Sequence, residues 1–559
     1  MNKSDIIAVA AGAAVCIALY FFAGYAERVK NTLHKLLWLL PVCAFLISNP
    51  PEISLLPLYL GVITACMGFF TEQKSLRRKT SAAGAALMLL TVPVCLLNPR
   101  YRAKDYIGDF EKGFSTMKEH YVLTEHKGID WDALYAKYQP LIEEADREQD
   151  AEKNFLAWSG FCAAFHDGHV FYSSEKEPDL NAARLVLGID YGLSVMRMTD
   201  GRFAAVNVDA SLNALGITNG TVITKWEGVS PDEASRNAPA YEHLLLWTDE
   251  HDDILILGSY PDIDNEIFYS GLLAAGTGGE TASVTILDET GAEQTVTLQK
   301  IGDYADRVFQ TADIVDKGLN IGTLTWKQLD ETTACLRIKG MMYDSKSYAS
   351  SDETDYKQMK TDLREAFAAF QADGVKDVVI DLRNNSGGSP IMVKAVASLF
   401  SPAGDYVCSA DGKWDDENKL WVKDEAGNYV PDNTISYQGE DIMNGGRVIL
   451  LVNANCVSAG DYMVKVMRGL PNVTVMGFTE PNGSCQAVGG LSLKHGSLQF
   501  SNCVTLNPEG GIFIDSGTDR QSGNALDIQI PFDEAAIHAI FDENEDYAMD
   551  QVLNLLRAQ

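Results

Sequence analysis

A five-residue apolar run that ends in a polar turn and resumes as a helix constrains this chain more than any other feature. Val448 to Val452 contains no polar residue, as a strand covered on both faces requires, and apolar side chains recur at helical spacing from Ser458 to Arg468. A related unit lies upstream, where Val378 to Leu382 closes in the polar, glycine-rich turn Arg383 to Ser389. Further strand candidates are Ile321 to Trp326, Thr333 to Ile338 and Val473 to Met476, with helices near Tyr356 to Gln371 and Val393 to Leu399. This alternation predicts an α/β layered core over residues 318–545 with its site in the loops at the strand ends.

Ser458 falls at the strand-to-helix turn. A hydroxyl there is exposed beside unpaired N–H groups at a helix N-terminus, where developing negative charge is favoured. The competing role is a plain N-cap, which Ser fills readily. In the upstream turn, Gly387 and Gly388 let the backbone come close to a ligand and present an N–H to an oxyanion.

These two stretches, Asp381-Leu382-Arg383-Asn384-Asn385-Ser386-Gly387-Gly388 and Ser458-Ala459-Gly460-Asp461, lie in this order about seventy residues apart. They resemble the motifs of the serine peptidases that include the C-terminal-processing (tail-specific) proteases and the tricorn core protease, and the resemblance extends over most of residues 105–535. It implies a crotonase-like ββα core in which Ser458 is the nucleophile and the N–H groups of Ala459 and of Gly387 or Gly388 form the oxyanion hole. The C-terminal-processing branch takes its base from a lysine after the nucleophile helix. Asn482 stands at that position here, in Pro481-Asn482-Gly483-Ser484-Cys485-Gln486, and an amide cannot accept the proton. Lys465 is two turns away along the helix and Lys494 has no motif behind it.

The tricorn-like branch uses a histidine after a DGH turn, which maps to His169 in Phe165-His166-Asp167-Gly168-His169-Val170, with His166 as the alternative base. In that branch a glutamate near the C-terminus orients the histidine. The matching stretch is Asp519-Arg520-Gln521-Ser522-Gly523-Asn524-Ala525-Leu526-Asp527. Direct counting puts Arg520 at the acid position, and a slip of one residue makes Asp519 the third member, with Asp527 behind it. The two histidines beside Asp167 also suit a metal, but HExxH and a third histidine at ligand spacing are missing, so neither metal nor cofactor is expected.

Residues 101–183 read as the helical N-terminal part of the peptidase. Apolar residues recur at Phe110, Phe114, Met117 and Tyr121 and again from Trp131 to Leu141. Residues 184–302 read as a β-rich module. Its strand candidates are Leu185 to Val195, Phe203 to Val208, Thr221 to Trp226, Ala282 to Leu287 and Gln294 to Leu298. Their order resembles a PDZ domain, which implies capture of a peptide C-terminus by strand addition; a scaffolding β-domain is the other reading.

Four apolar stretches in residues 1–100, Ile6 to Gly24, Leu36 to Ile47, Ile53 to Phe70 and Ala82 to Leu97, predict a four-helix transmembrane anchor in the lipid bilayer. Basic residues cluster between the first and second stretches and between the third and fourth, which places the catalytic part outside the cytoplasm in a multi-pass arrangement. The first 100 residues hold nine Lys/Arg against four Asp/Glu, so the remainder carries −37 of a total of −32. So acidic a surface excludes nucleic acid as a natural partner. Six cysteines lie beyond residue 100, and disulfides and free buried thiols are equally open. The expectation is therefore a multidomain, membrane-anchored serine endopeptidase acting on extracytoplasmic proteins or peptides through a Ser-His acyl-enzyme. The alternatives are a catalytically silent peptide- or ligand-binding protein on the same fold, and an esterase using the same residues.

Overall fold

The computed structural model describes residues 105–174, 188–238, 276–316, 324–343, 353–517 and 524–558, with short pieces between 246 and 273. The first helices are α1 (Tyr106–His120), α2 (Trp131–Glu148) and α3 (Ala151–Ala163). Asp130 and Asp150 cap α2 and α3, the first accepting the Ala133 N–H and the second the Glu152 and Lys153 N–H groups on a side-chain oxygen. The buried faces of these helices, with Phe110, Phe114, Trp158 and Phe161, form one aromatic-rich cluster with Leu498 and Phe500. It rests on a small sheet in which β1 (Phe171–Ser174) pairs with a strand far along the chain.

Next come β2 (Ser194–Arg197), β3 (Phe203–Val206), β4 (Val222–Trp226), β5 (Thr281–Leu287) and β6 (Glu293–Gln299), an antiparallel sheet in that order. They are followed by β7 (Leu324–Gln328), β8 (Thr333–Ile338), α4 (Glu353–Ala372), β9 (Asp377–Asp381) and α5 (Pro390–Phe400). After them lie β10 (Val448–Val452), α6 (Ala459–Met467), β11 (Val473–Gly477), β12 (Val488–Ser492), β13 (Gly496–Ser501), β14 (Ile528–Gln529) and α7 (Tyr547–Ala558). The central sheet runs β14-β11-β10-β9-β8-β7, parallel except at the antiparallel β7–β8 edge. β13 is the strand that pairs with β1, and β12 flanks it.

The unbroken apolar runs are explained by the two sides of this sheet. Val448, Leu450 and Val452 face α4, α5 and α6, while Ile449 and Leu451 face the opposite core. That second core also contains Met196, Met198, Ala204 and Val206 from β2, β3 and the turn after β2, and Val552 and Leu556 from α7. The β-rich part and the peptidase part thus share apolar packing, and Tyr106–Gln559 forms one compact unit.

The expected fold class, a multidomain chain headed by transmembrane helices, is corrected accordingly to a mixed α/β fold. No helix among the described residues is long and apolar enough to cross a membrane. α4 has the length, at 20 residues, but only one face, with Met359, Leu363 and Phe367, is apolar, and Lys357, Lys360, Asp362, Arg364 and Glu365 lie along the rest. The four apolar stretches of residues 1–100 lie outside the described residues. Cys162, Cys335, Cys408, Cys456, Cys485 and Cys503 are all free thiols.

Candidate active site

Two turns at the ends of adjacent parallel strands meet here. Ser458 precedes α6 with φ 61° and ψ −119°, and its side chain makes no capping hydrogen bond. A non-glycine residue is strained in that conformation and persists only where its surroundings fix it. The plain N-cap role is therefore unfilled. The Ser458 N–H donates to the Ser484 carbonyl at 2.9 Å, and the Val457 N–H donates to the Asn385 carbonyl at 2.9 Å. Those two bonds fix both flanks of the turn.

The β9 turn packs against it. Gly387 has φ 87°, and a Cβ there would lie 2.5 Å from Ser458 Cβ and 3.0 Å from its Oγ, so only glycine permits the approach. At Gly388, with φ 131°, a Cβ would meet the Met341 carbonyl oxygen at 2.7 Å. Of the expected oxyanion donors, the Gly387 N–H is committed to Asn385 Oδ1 at 2.9 Å. The N–H groups of Gly388 and Ala459 have no hydrogen-bond partner among the described residues. Asn amides lock the two turns together: the Asn384 N–H donates to Asn453 Oδ1, and Asn453 Nδ2 and Asn455 Nδ2 donate to Asn384 Oδ1.

Arg383 anchors the β9 turn from below. Its guanidinium donates to both oxygens of Asp381, at 3.0 and 2.8 Å, and to both oxygens of Asp546, at 2.8 Å each. Burial works against the Asp381 carboxylate, but Arg383 and Arg337 beside it hold its pKa below the usual carboxylate range.

The DGH turn reaches the same place from the other end of the chain. Asp167 is buried and accepts the Tyr121 hydroxyl at 3.0 Å, the Ser501 hydroxyl at 2.9 Å and the His169 N–H at 2.9 Å. The Gly168 N–H donates to Ser484 Oγ at 2.8 Å, and a Cβ on Gly168 would lie 2.6 Å from Asn482 Oδ1. Ser484 thus touches the histidine turn through its hydroxyl and the Ser458 turn through its carbonyl. His169 is 6 % exposed, and its Nδ1 is buried with no hydrogen-bond partner among the described residues. Burial lowers the imidazole pKa below 6.5; nearby Asp167 opposes this and Lys127 adds to it.

Asp461, in the first turn of α6, collects the Gly483 N–H at 3.0 Å, the Ser484 N–H at 3.3 Å and Asn524 Nδ2 at 3.1 Å. Burial pushes its carboxyl up to about 7, against those three donors. Behind the histidine turn lies a buried pair that sequence reasoning did not find. Lys127 Nζ sits 2.5 Å from Asp515 Oδ1, with side chains 1 % and 0 % exposed. Burial pushes the Asp515 carboxyl well above the usual carboxylate range, and the Lys127 ammonium offsets part of that rise; the contact is a buried salt bridge.

Ser458 and Ala459 thus lie against the Gly387–Gly388 turn, and the turn of His169 joins them through Ser484. Asp519 lies outside the described residues. Asp527 is elsewhere, its Oδ2 accepting the Val475 N–H at 2.8 Å. His166, the alternative base, has φ 49°, and its carbonyl accepts Lys127 Nζ. No group of three or more His, Cys, Asp or Glu suited to a metal occurs among the described residues. Ser484 and Lys127 were missed because a serine inside a loop and a lysine after a helix carry no spacing signal.

Residues 332–519 match the model of Peptidase family S41, and residues 102–152 match the Tricorn protease C1 domain. The class is a serine-type peptidase, acting on protein or peptide. The matched residues 332–519 include both the Arg383–Ser389 turn and Ser458. No curated protein matches the chain. Among solved structures it is similar to mature CPAF complexed with lactacystin, at 12% identity over 82% of this chain and 99% of that one, with TM-score 0.49. It is also similar to a putative peptidase from Parabacteroides merdae ATCC 43184, at 16% identity over 81% and 97%, with TM-score 0.42. The photosystem II D1 C-terminal processing protease gives 16% identity over 80% and 99%, with TM-score 0.33.

Proposed function

We propose that the protein is a serine endopeptidase working through a Ser-His acyl-enzyme. The observation that carries this reading is Ser458 itself, held at φ 61° with its hydroxyl uncapped and the N–H groups of Gly388 and Ala459 unpartnered nearby. Ser458 Oγ attacks the peptide carbonyl, and His169, kept neutral by burial, takes the proton and returns it to the leaving amine. Gly388 and Ala459 receive the oxyanion, while Asn385 Oδ1 occupies the Gly387 N–H and orients the turn. The unsatisfied Nδ1 of His169 marks where an orienting acceptor belongs, and Asp519 remains the residue assigned to it. Docking of a substrate C-terminus on the edge strand β2 is the finer part of the same reading.

The test is labelling of the full-length chain with a fluorophosphonate. Wild type should label, Ser458→Ala should not, and His169→Ala should label at least about 10²-fold more slowly. A folded wild type that fails to label would turn the reading to the silent ligand-binding protein.

A further inference from the structure

The buried Lys127 has no place in the mechanism above, yet it stands where the two halves of the site join. It lies in the turns after α1, in a segment whose neighbour His126 also contacts residue 515, Nε2 to the Asp515 carbonyl oxygen at 3.2 Å. Its ammonium makes three contacts: it donates to the His166 carbonyl at 2.7 Å and to Ser516 Oγ at 2.9 Å, and it forms a salt bridge with Asp515 Oδ1 at 2.5 Å. The first acceptor belongs to the residue at φ 49° that starts the DGH turn. The other two belong to a segment that continues into the nucleophile side. There the Ser516 N–H donates to the Gly483 carbonyl at 3.0 Å, Asp515 forms a β-bridge with Ser484, and the Ser484 carbonyl accepts the Ser458 N–H.

We propose that Lys127 is the positioning residue of the His169 base, a side-chain ammonium that clamps the histidine turn and the Gly483–Ser484 loop at fixed separation. The inference rests on the Ser-His reading. A purely structural lysine could be replaced by any group that fills the volume, whereas this one also sets a field. Among the described residues, Asp167 on the histidine turn and Lys127 from the segment after α1 act on His169 directly, while Tyr121 reaches it through Asp167, Asp515 through Lys127 and Asp461 of α6 through Ser484. Of these, Asp167 favours the imidazolium and Lys127 opposes it, while Asp515 is the counter-charge of Lys127.

Two substitutions should therefore move the same limb of the pH profile in opposite directions. The base must be neutral to act, so activity falls as pH drops through the His169 pKa. In Lys127→Met the cation is lost, His169 protonates more readily, and the acid limb shifts to higher pH by about one unit. In Asp515→Asn the cation is uncompensated, and the limb shifts to lower pH. The experiment is the pH dependence of fluorophosphonate labelling of the full-length chain, with circular dichroism and thermal melts for each variant. Alongside it, His169 is titrated by NMR with 13C-labelled histidine and assigned by His169→Gln, a readout that needs no activity. Opposite shifts in both readouts support the clamp. Slower labelling or a lower melting temperature with both limbs and the His169 titration unmoved would make Lys127 structural only and overturn it. Failure of the Ser-His reading looks different: His169 shifts in the titration while wild type does not label.

Discussion

At the scale of single residues, the site depends on positions where a missing Cβ matters more than any side chain. Gly387 is the sharpest case. Adding one methyl group there places carbon 2.5 Å from Ser458 Cβ and asks an L-residue to hold φ 87°. The turn must retreat, taking with it Gly388, whose N–H faces the proposed oxyanion. Gly387→Ala is expected to lower kcat by about 10² to 10³, the cost of losing one oxyanion donor, with KM changed much less. Steady-state kinetics on a peptide substrate measures this split; an unchanged kcat would remove the β9 turn from the mechanism. The glycine pair was legible in the sequence, as was Ser458, because Gly-Gly and a Ser at a strand-to-helix turn are local signals. Which glycine keeps a free N–H was not legible, since that depends on where Asn385 sends its amide oxygen.

At the scale of elements, the strands from β8 to β11 were readable to within a residue because each is buried on both sheet faces and so reads as a continuous apolar run. The strands Gly404–Gly412 and Pro431–Gly439 gave no such run. Most of their residues are partly or fully exposed, so polar side chains are tolerated and the period is blurred. The same limit hid the struts between elements. Arg383, inside the recognised motif, links the end of β9 to Asp546, whose Oδ1 also accepts the Met549 N–H at 3.2 Å in the first turn of α7. Arg383→Met would leave Asp381 with Arg337 alone and Asp546 without its bidentate partner. Removing one member of a buried ion network typically costs about 3 to 5 kcal/mol. Chemical denaturation should show that loss, and labelling at Ser458 should fall with it because the β9 turn loses its anchor. A variant as stable as wild type would mean that α7 does not brace the site.

At the scale of the whole molecule, the question is whether the β2–β6 sheet is a detachable module or part of the catalytic body. Sequence order alone suggested a separate domain, since strand-rich and helix-alternating segments follow one another with a clear change of pattern. The side chains argue for coupling. Met196 and Met198 pack into the same cluster as Ile449 and Leu451 of β10 and Met476 of β11, on the face of the central sheet opposite α4, α5 and α6. Apolar clusters of this kind unfold together, because opening one partner exposes the other. Ile449, 2 % exposed on β10, tests this without touching the site. Ile449→Ala should cost about 2 to 5 kcal/mol through the lost methylenes and the cavity they leave. Measured by hydrogen exchange, the slow amides of β2 and β3 should lose protection by the same amount as those of β9 and β10. If β2 and β3 kept their wild-type protection while β10 weakened, the two sheets would open independently, and a peptide docked on the β2 edge would have no packed route by which to bias the Ser458 turn.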